Sequence, residues 1–280
     1  MRFGSHVSIR GGFLEAARLA HRIGARTFQY FPKNPRSLAL KKLDANDAAA
    51  CAAYCREHGL TSIAHTPYLT NLAVEETNRR QAVRRSVLND LEIAEACGSL
   101  GVVVHFGVYR GTDTLQGYKN ILQLVNDIGM AWNGRTLILL ENQAGEGTTM
   151  GTTMEECVQI RSLSHHAEKI GFCLDTCHLF ASGVWNGTDW MRIWEAGMRL
   201  GYFEQVKAVH LNDSLYPTGS CKDRHANVGR GCIGEKGMLD VLRTPGWETM
   251  PAVLETPVLP DYSHQEEIAY LMRLTSAINV

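Results

Sequence analysis

GVVVHFGVYRGTDTLQGYKNILQLVNDIGMAWNGRTLILLEN (101–142) holds one complete repeat of the fold. It opens on a short apolar, β-branched run, GVVVHF (101–106), and closes on another, TLILLEN (136–142). Runs this short and this apolar suit strands covered on both faces. Between them, Gln116–Trp132 carries apolar residues at the 3.6-residue period of a helix. The alternation continues outward in both directions. Further strands are expected at 2–8, 26–31, 62–66, 171–176, 205–212 and 251–256. Helical periodicity appears at Leu14–Ile23, Ala48–His58, Arg79–Cys97, Met154–Leu163, Trp190–Leu200, Glu235–Leu242 and Gln265–Ile278. Eight strand-then-helix units without a Pro-, Gly- or Ser-rich linker argue for an α/β fold closed as a (β/α)8 TIM barrel, one catalytic domain over 1–280. No glycine-rich fingerprint follows the first strand: GSHVSIRGG (4–12) lacks the GxGxxG spacing of a dinucleotide fold.

Composition sets the setting. A hydrophobic share of 45% with 20% charged residues is ordinary for a globular enzyme, and no apolar run reaches the ~18 residues of a membrane span. The start, MRFGSHVSIRGG, lacks a signal-peptide pattern, so a cytoplasmic enzyme with no membrane partner is expected, nucleoid-associated if it acts on DNA. The eight cysteines contain no CxxC pair and read as reduced, structural thiols. A net charge of −1 does not advertise a nucleic-acid binder, but affinity for a phosphate backbone depends on local patches. Basic residues gather at Lys33 and Arg36, at Arg79, Arg80, Arg84 and Arg85, and at Lys222, Arg224 and Arg230. Exposed helix charges account for most of the second group.

In a barrel, side chains at the C-terminal strand ends converge on one mouth. Those ends carry, in order from the third strand, His65, His105, Glu141, Asp175, His210 and Glu255. A lone strand-end His is usually a satisfied core residue, and a lone Asp or Glu usually caps the next helix. Six such residues on six consecutive strands are not explained that way. Two loops add His178, three residues after Asp175 in LDTCH, and Asp223 with His225 in DRH. Asp-x-His places both side chains on one side of an extended segment. A zinc site needs three or four protein ligands, so nine imply two or three ions with a bridging carboxylate. Imidazole and carboxylate without thiolate suit catalytic Zn²⁺, with Mn²⁺ or Fe²⁺ as alternative occupants of one site. His6, at the first strand end, is expected beside the centre and not in it.

The chain resembles the endonuclease IV family of apurinic/apyrimidinic (AP) endonucleases. The similarity runs through GSHVSIRGG (4–12), HTPYLTNLA (65–73), VVHFG (103–107), LLENQAGEG (139–147), GFCLDTCHLFASG (171–183), VHLNDS (209–214), KDRHANVGRGCIG (222–234) and LETP (254–257). The resemblance implies three Zn²⁺ per chain: the first on His65, His105 and Glu141, the second on Glu141, Asp175, His210 and Glu255, the third on His178, Asp223 and His225. It implies Glu141 as the central catalytic residue. The substrate would be duplex DNA with an abasic site, hydrolysed 5′ to the lesion to leave a 3′-hydroxyl and a 5′-deoxyribose phosphate. Arg36, Tyr68 and Leu69 match the positions with which the family probes DNA; apolar and aromatic wedges compensate lost stacking, and an abasic sugar is cheap to extrude.

The chain also departs from the family's pattern. Phe106 stands where proline is common, and Leu215 follows HLNDS where a lysine is usual, removing a phosphate contact. Arg230, in ANVGRG, supplies a replacement positive charge for DNA. A rival reading is a metal-dependent sugar isomerase or epimerase on the same barrel. It needs one or two ions and has little use for His178, Asp223 and His225. A catalytically idle DNA-binding protein would not need the ligand set at all. A monomer is expected, since an open mouth must accept a rigid duplex.

Overall fold

The computed structural model describes residues 1–278. Eight parallel strands close into a barrel: β1 (Arg2–His6), β2 (Thr27–Tyr30), β3 (Thr61–His65), β4 (Gly101–His105), β5 (Leu137–Glu141), β6 (Ile170–Asp175), β7 (Val206–His210) and, after a small hairpin of β8 (Asp213–Ser214) and β9 (His225–Ala226), β10 (Pro251–Leu254). The order around the barrel is β1-β10-β7-β6-β5-β4-β3-β2, so neighbours in the chain are neighbours in space.

Helices return each strand to the bottom of the barrel: α1 (Phe13–Arg22), α2 (Ala45–His58), α3 (Thr77–Ala96), α4 (Thr114–Ala131) and α5 (Met154–Leu163). The short α6 (Thr176–Ala181) is followed by α7 (Trp190–Arg199), α8 (Gly234–Leu242) and α9 (His264–Ile278). Side-chain caps set several starts earlier than the apolar period does. Asp44 accepts from Asp47 N and begins α2 at Ala45, and Glu76 accepts from Asn78 N and Arg79 N to begin α3 at Thr77. α5 starts on a reciprocal capping box of Thr153 and Glu156. No helix among the described residues is long and apolar enough to cross a membrane.

The strands are apolar on both faces because both are buried. Ala64, Val104, Leu140, Leu174, Val209 and Leu254 face outward into the large core beneath the helices. Ile63, Val103, Leu139, Cys173, Ala208 and Val253 point inward and form a separate cluster inside the barrel. Successive strand side chains alternate faces, so the residue two positions beyond each of these also points inward. Those residues are His65, His105, Glu141, Asp175, His210 and Glu255. An apolar floor of six residues therefore carries a polar layer of six, one per strand.

Candidate metal centre

Strand pairing brings the polar layer together. In register, His105 lies opposite Glu141 on β4 and β5, and Asp175 opposite His210 on β6 and β7. Ligand-type atoms within 4.8 Å of one another form three groups: His65, His105 and Glu141; Glu141, Asp175, His210 and Glu255; and His178, Asp223 and His225. Glu141 belongs to two of them and is fully buried. These are the nine residues singled out by strand-end position and loop spacing. A fourth group substitutes Cys177 beside Asp175 and His225. Burial and the Asp175 carboxylate push the Cys177 thiol up, and its S–H is directed at Arg224 O, 3.7 Å away.

Backbone hydrogen bonds fix which nitrogen faces the centre in three of the five clustered histidines. His65 Nδ1–H donates to Thr66 O (2.7 Å), His178 Nδ1–H to Asn142 O (2.8 Å) and His225 Nδ1–H to Glu255 O (3.3 Å). Each therefore turns Nε2 inward, as a metal-binding imidazole does when a backbone carbonyl holds its other nitrogen. His65 Nε2 and His105 Nε2 lie 3.5 and 2.8 Å from Glu141 Oε2. His178 Nε2 and His225 Nε2 lie 3.1 and 3.2 Å from Asp223 Oδ1. His210 differs, presenting Nδ1 to Glu141 Oε1 (2.8 Å) and Glu255 Oε2 (3.2 Å).

The donor set fits divalent cations. Among the described residues, Glu141 Oε2, His178 Nε2 and His225 Nε2 are buried yet have no hydrogen-bond partner, although charged neighbours stand close by. Each of the three thus faces a point at which no hydrogen-bond partner stands. Orphaned atoms of this kind are costly unless something else occupies those points. The fields are correspondingly strong. Burial would raise Glu141, but His210 and His105 hold it well below the usual carboxylate range. Glu255 falls to about 2 against its burial, chiefly through His210. Burial lowers His225, yet Asp223 and Asp175 lift it to about 9. Asp175 goes the other way: burial pushes it up beyond what His178 and His225 offset.

Asp175 serves two structures at once. Its Oδ1 accepts from His178 N (2.8 Å) and caps α6, while Oδ2 faces His225 Nε2 (3.6 Å) and His210 Nδ1 (3.8 Å). The helix-cap reading of a strand-end Asp thus holds here, and it leaves the second oxygen free to face the cluster.

Residues outside the nine brace them, and neither strand-end position nor loop spacing singles these out. Asn142 clasps the Asp175 backbone through both amide atoms (3.0 and 2.8 Å). Asn212 donates to Asp175 Oδ2 (2.8 Å) and accepts from Glu255 N (2.9 Å). Gln29, fully buried on β2, bonds to His210, Glu255 and His6. Each is a polar residue in or just after an apolar strand, which was the available signal. His6 lies beside the centre, as expected, with its ring against Phe31.

The mouth is open on one side as a cleft of about 500 Å³ running from His105, His178 and Asp223 past Arg79, Arg110 and Tyr68. Tyr68 and Leu69 project from the β3–α3 loop, 69% and 44% exposed. Tyr68 N donates to Pro35 O (2.9 Å), tying this loop to the one that carries the exposed Arg36. Arg230 is exposed and lies over the Tyr262 ring, 3.7 Å from its centroid. Leu215 is exposed at 59%. Lys33 does not join Arg36 at the surface. It is buried against Asp90, 2.5 Å away on α3. Arg80 is likewise engaged, with Asp127 (2.9 Å) on α4.

A closed parallel barrel with this cluster at its C-terminal mouth defines a class, and the family described as xylose isomerase-like TIM barrel matches residues 17–274. A D-tagatose 3-epimerase-like protein shares the fold alone, at 16% identity and a TM-score of 0.72 over 100% of this chain and 98% of that one. Closer relatives narrow the class. A probable endonuclease 4 of Symbiobacterium thermophilum is 42% identical over 98% of this chain and 99% of its own. The endonuclease IV of Thermus thermophilus superposes with a TM-score of 0.87 at 31% identity, covering 99% of this chain and 100% of that one. The chain belongs to the endonuclease IV family.

Proposed function

We propose that the chain is a metal-dependent AP endonuclease that hydrolyses the phosphodiester 5′ to abasic sites in duplex DNA, the first step of strand repair at such lesions. The observation that carries this reading is the third group, His178, Asp223 and His225, added to two strand-end groups that share Glu141. A sugar isomerase or epimerase on this barrel has no use for it. The first group would hold one Zn²⁺, the second another, and the third a third, with Mn²⁺ or Fe²⁺ as alternative occupants of one site. Bound divalent ions there supply Lewis-acid polarisation of phosphoryl oxygens and acidify water near neutral pH.

The chain's own residues do the rest. Glu141, in the polar layer above the apolar floor, keeps its carboxylate ionised and belongs to both strand-end groups. Tyr68 and Leu69, exposed at the rim of the cleft, would fill the space left by a missing base, and the exposed Arg36 and Arg230 would offer charge to the backbone. Residues 1–280 would act as one catalytic domain and as a monomer, in the compartment that holds the DNA.

The test is incubation of the Zn²⁺-loaded protein with a duplex carrying one tetrahydrofuran abasic analogue. Incision 5′ to the analogue is expected, lost in Glu141→Gln and on dialysis against a chelator, and restored by Zn²⁺. No incision with Zn²⁺ or Mn²⁺, together with turnover of a ketose or aldose, would overturn the reading.

A further inference from the structure

The polar layer on the barrel floor has six ligand-type residues from β3 onward, and Gln29 stands in the same layer on β2. It pairs in register with Ile63 of β3 and His6 of β1 and is fully buried. Its amide makes three contacts. Oε1 lies 2.7 Å from His210 Nε2, and Nε2 lies 2.6 Å from Glu255 Oε1 and 3.2 Å from His6 Nδ1.

Only one orientation of the amide satisfies these contacts. Turning it over would place its oxygen against the Glu255 carboxylate, acceptor against acceptor, in a dry site where an unmade bond is costly. With the amide fixed, Oε1 must accept, so His210 must carry a proton on Nε2. The only nitrogen left to His210 for a cation is then Nδ1, the atom that faces Glu141 Oε1, Asp175 Oδ2 and Glu255 Oε2. In the same stroke the amide N–H holds Glu255 Oε1 back and turns Oε2 toward the centre. Backbone carbonyls do this work for His65, His178 and His225, and among the described residues no carbonyl of the backbone is hydrogen-bonded to the His210 ring.

We propose that Gln29 is a positioning residue of the second cation site, assigning the ligating nitrogen of His210 and the ligating oxygen of Glu255. The inference rests on the metal-centre reading above. It predicts that loss of the amide weakens the cation of the second group, and can reach the first only through the shared Glu141, while the His178, Asp223 and His225 group, to which Gln29 makes no hydrogen bond, is spared.

The test titrates the metal-free protein with Zn²⁺ against a competing chelator, for the wild type and for Gln29→Met and Gln29→Leu, each checked for folding by circular dichroism. One equivalent should bind about 10–100-fold more weakly in both variants, the range seen when a group orienting a metal ligand is removed. At least one other equivalent, that of the His178, Asp223 and His225 group, should keep wild-type affinity. In long-range ¹H–¹⁵N spectra of the Zn²⁺-loaded protein, His210 Nε2–H should be a protected proton in the wild type and lose protection in Gln29→Met. Wild-type affinity for every equivalent in both apolar variants, or a His210 proton on Nδ1, overturns the role of Gln29 alone. A wild-type protein that binds no Zn²⁺ overturns the metal reading and this inference with it.

Discussion

Replacing Lys33 by Met should destabilise the protein by about 3–5 kcal/mol, the cost of leaving one member of a buried ion pair uncompensated. Lys33 Nζ sits 2.5 Å from Asp90 Oδ1 and 2.7 Å from Ser86 O, so this residue bolts the loop that bears Arg36 onto α3. Asp90 is fully buried and its Oδ2 has no partner among the described residues, which leaves the carboxylate nothing to fall back on. The cost must also depend on pH. Burial pushes Asp90 up to about 7 even with Lys33 beside it, and removing the ammonium pushes it higher. An acid whose folded pKa is raised keeps its proton in the folded chain after the unfolded chain has lost it. Its contribution to stability therefore falls as pH rises from the ordinary carboxylate value to the folded pKa, and is flat beyond. From about pH 7 upward the wild type is flat in this respect, while the variant goes on losing about 1.4 kcal/mol per pH unit. Urea denaturation at about pH 6 and about pH 8.5 should show a gap that widens by about 2 kcal/mol. The double variant Lys33→Met/Asp90→Leu, which removes both charges, should recover most of the loss. A gap below about 1 kcal/mol at the higher pH, or one that narrows as pH rises, would refute the reasoning.

Tyr68→Ala removes a ring that is 69% exposed, so stability should stay within about 0.5 kcal/mol while KM for an abasic duplex rises about tenfold or more, as loss of one stacking platform implies. Steady-state kinetics on the tetrahydrofuran duplex check this, and an unchanged KM would remove Tyr68 from the DNA surface. Gly107→Ala should cost about 2–4 kcal/mol, read as a lower unfolding midpoint in urea. Gly107 has φ +89°, and an added Cβ would lie 2.1 Å from Asn71 Oδ1 and 2.9 Å from Asn71 Cα, which is backbone and cannot swing aside. Asn71 in turn bonds both Val108 N and Val108 O, so the loop after His105 has no slack.

The barrel and the six strand-end residues were legible for one reason, and His178, Asp223 and His225 only by their spacing in two loops. Strands covered on both faces read as apolar runs, so a His, Asp or Glu at the end of such a run stands out and falls on the inward face by alternation. α6 was not legible because its six residues are all buried and have no polar face to set a period. The β8–β9 hairpin has two residues per strand, too few for any pattern. Lys33 reads as a surface cation because nothing local reveals Asp90, fifty-seven positions away. Gln29 is harder still: its amide acquires a role only when closure of the barrel brings residues 210 and 255 to residue 29.

The double use of Asp175 limits how this centre can evolve. Oδ1 begins α6 and Oδ2 faces the cluster, and α6 carries His178, a member of a different group. Exchanging Asp175 for His or Cys, the usual route by which a site drifts toward a softer metal, would leave α6 without its cap and shift His178 in the same event. Two of the three groups are thereby linked through a single codon. Drift in metal preference has freer paths at His105, one-third exposed and bonded to no helix end, than at the buried hinge between β6 and α6.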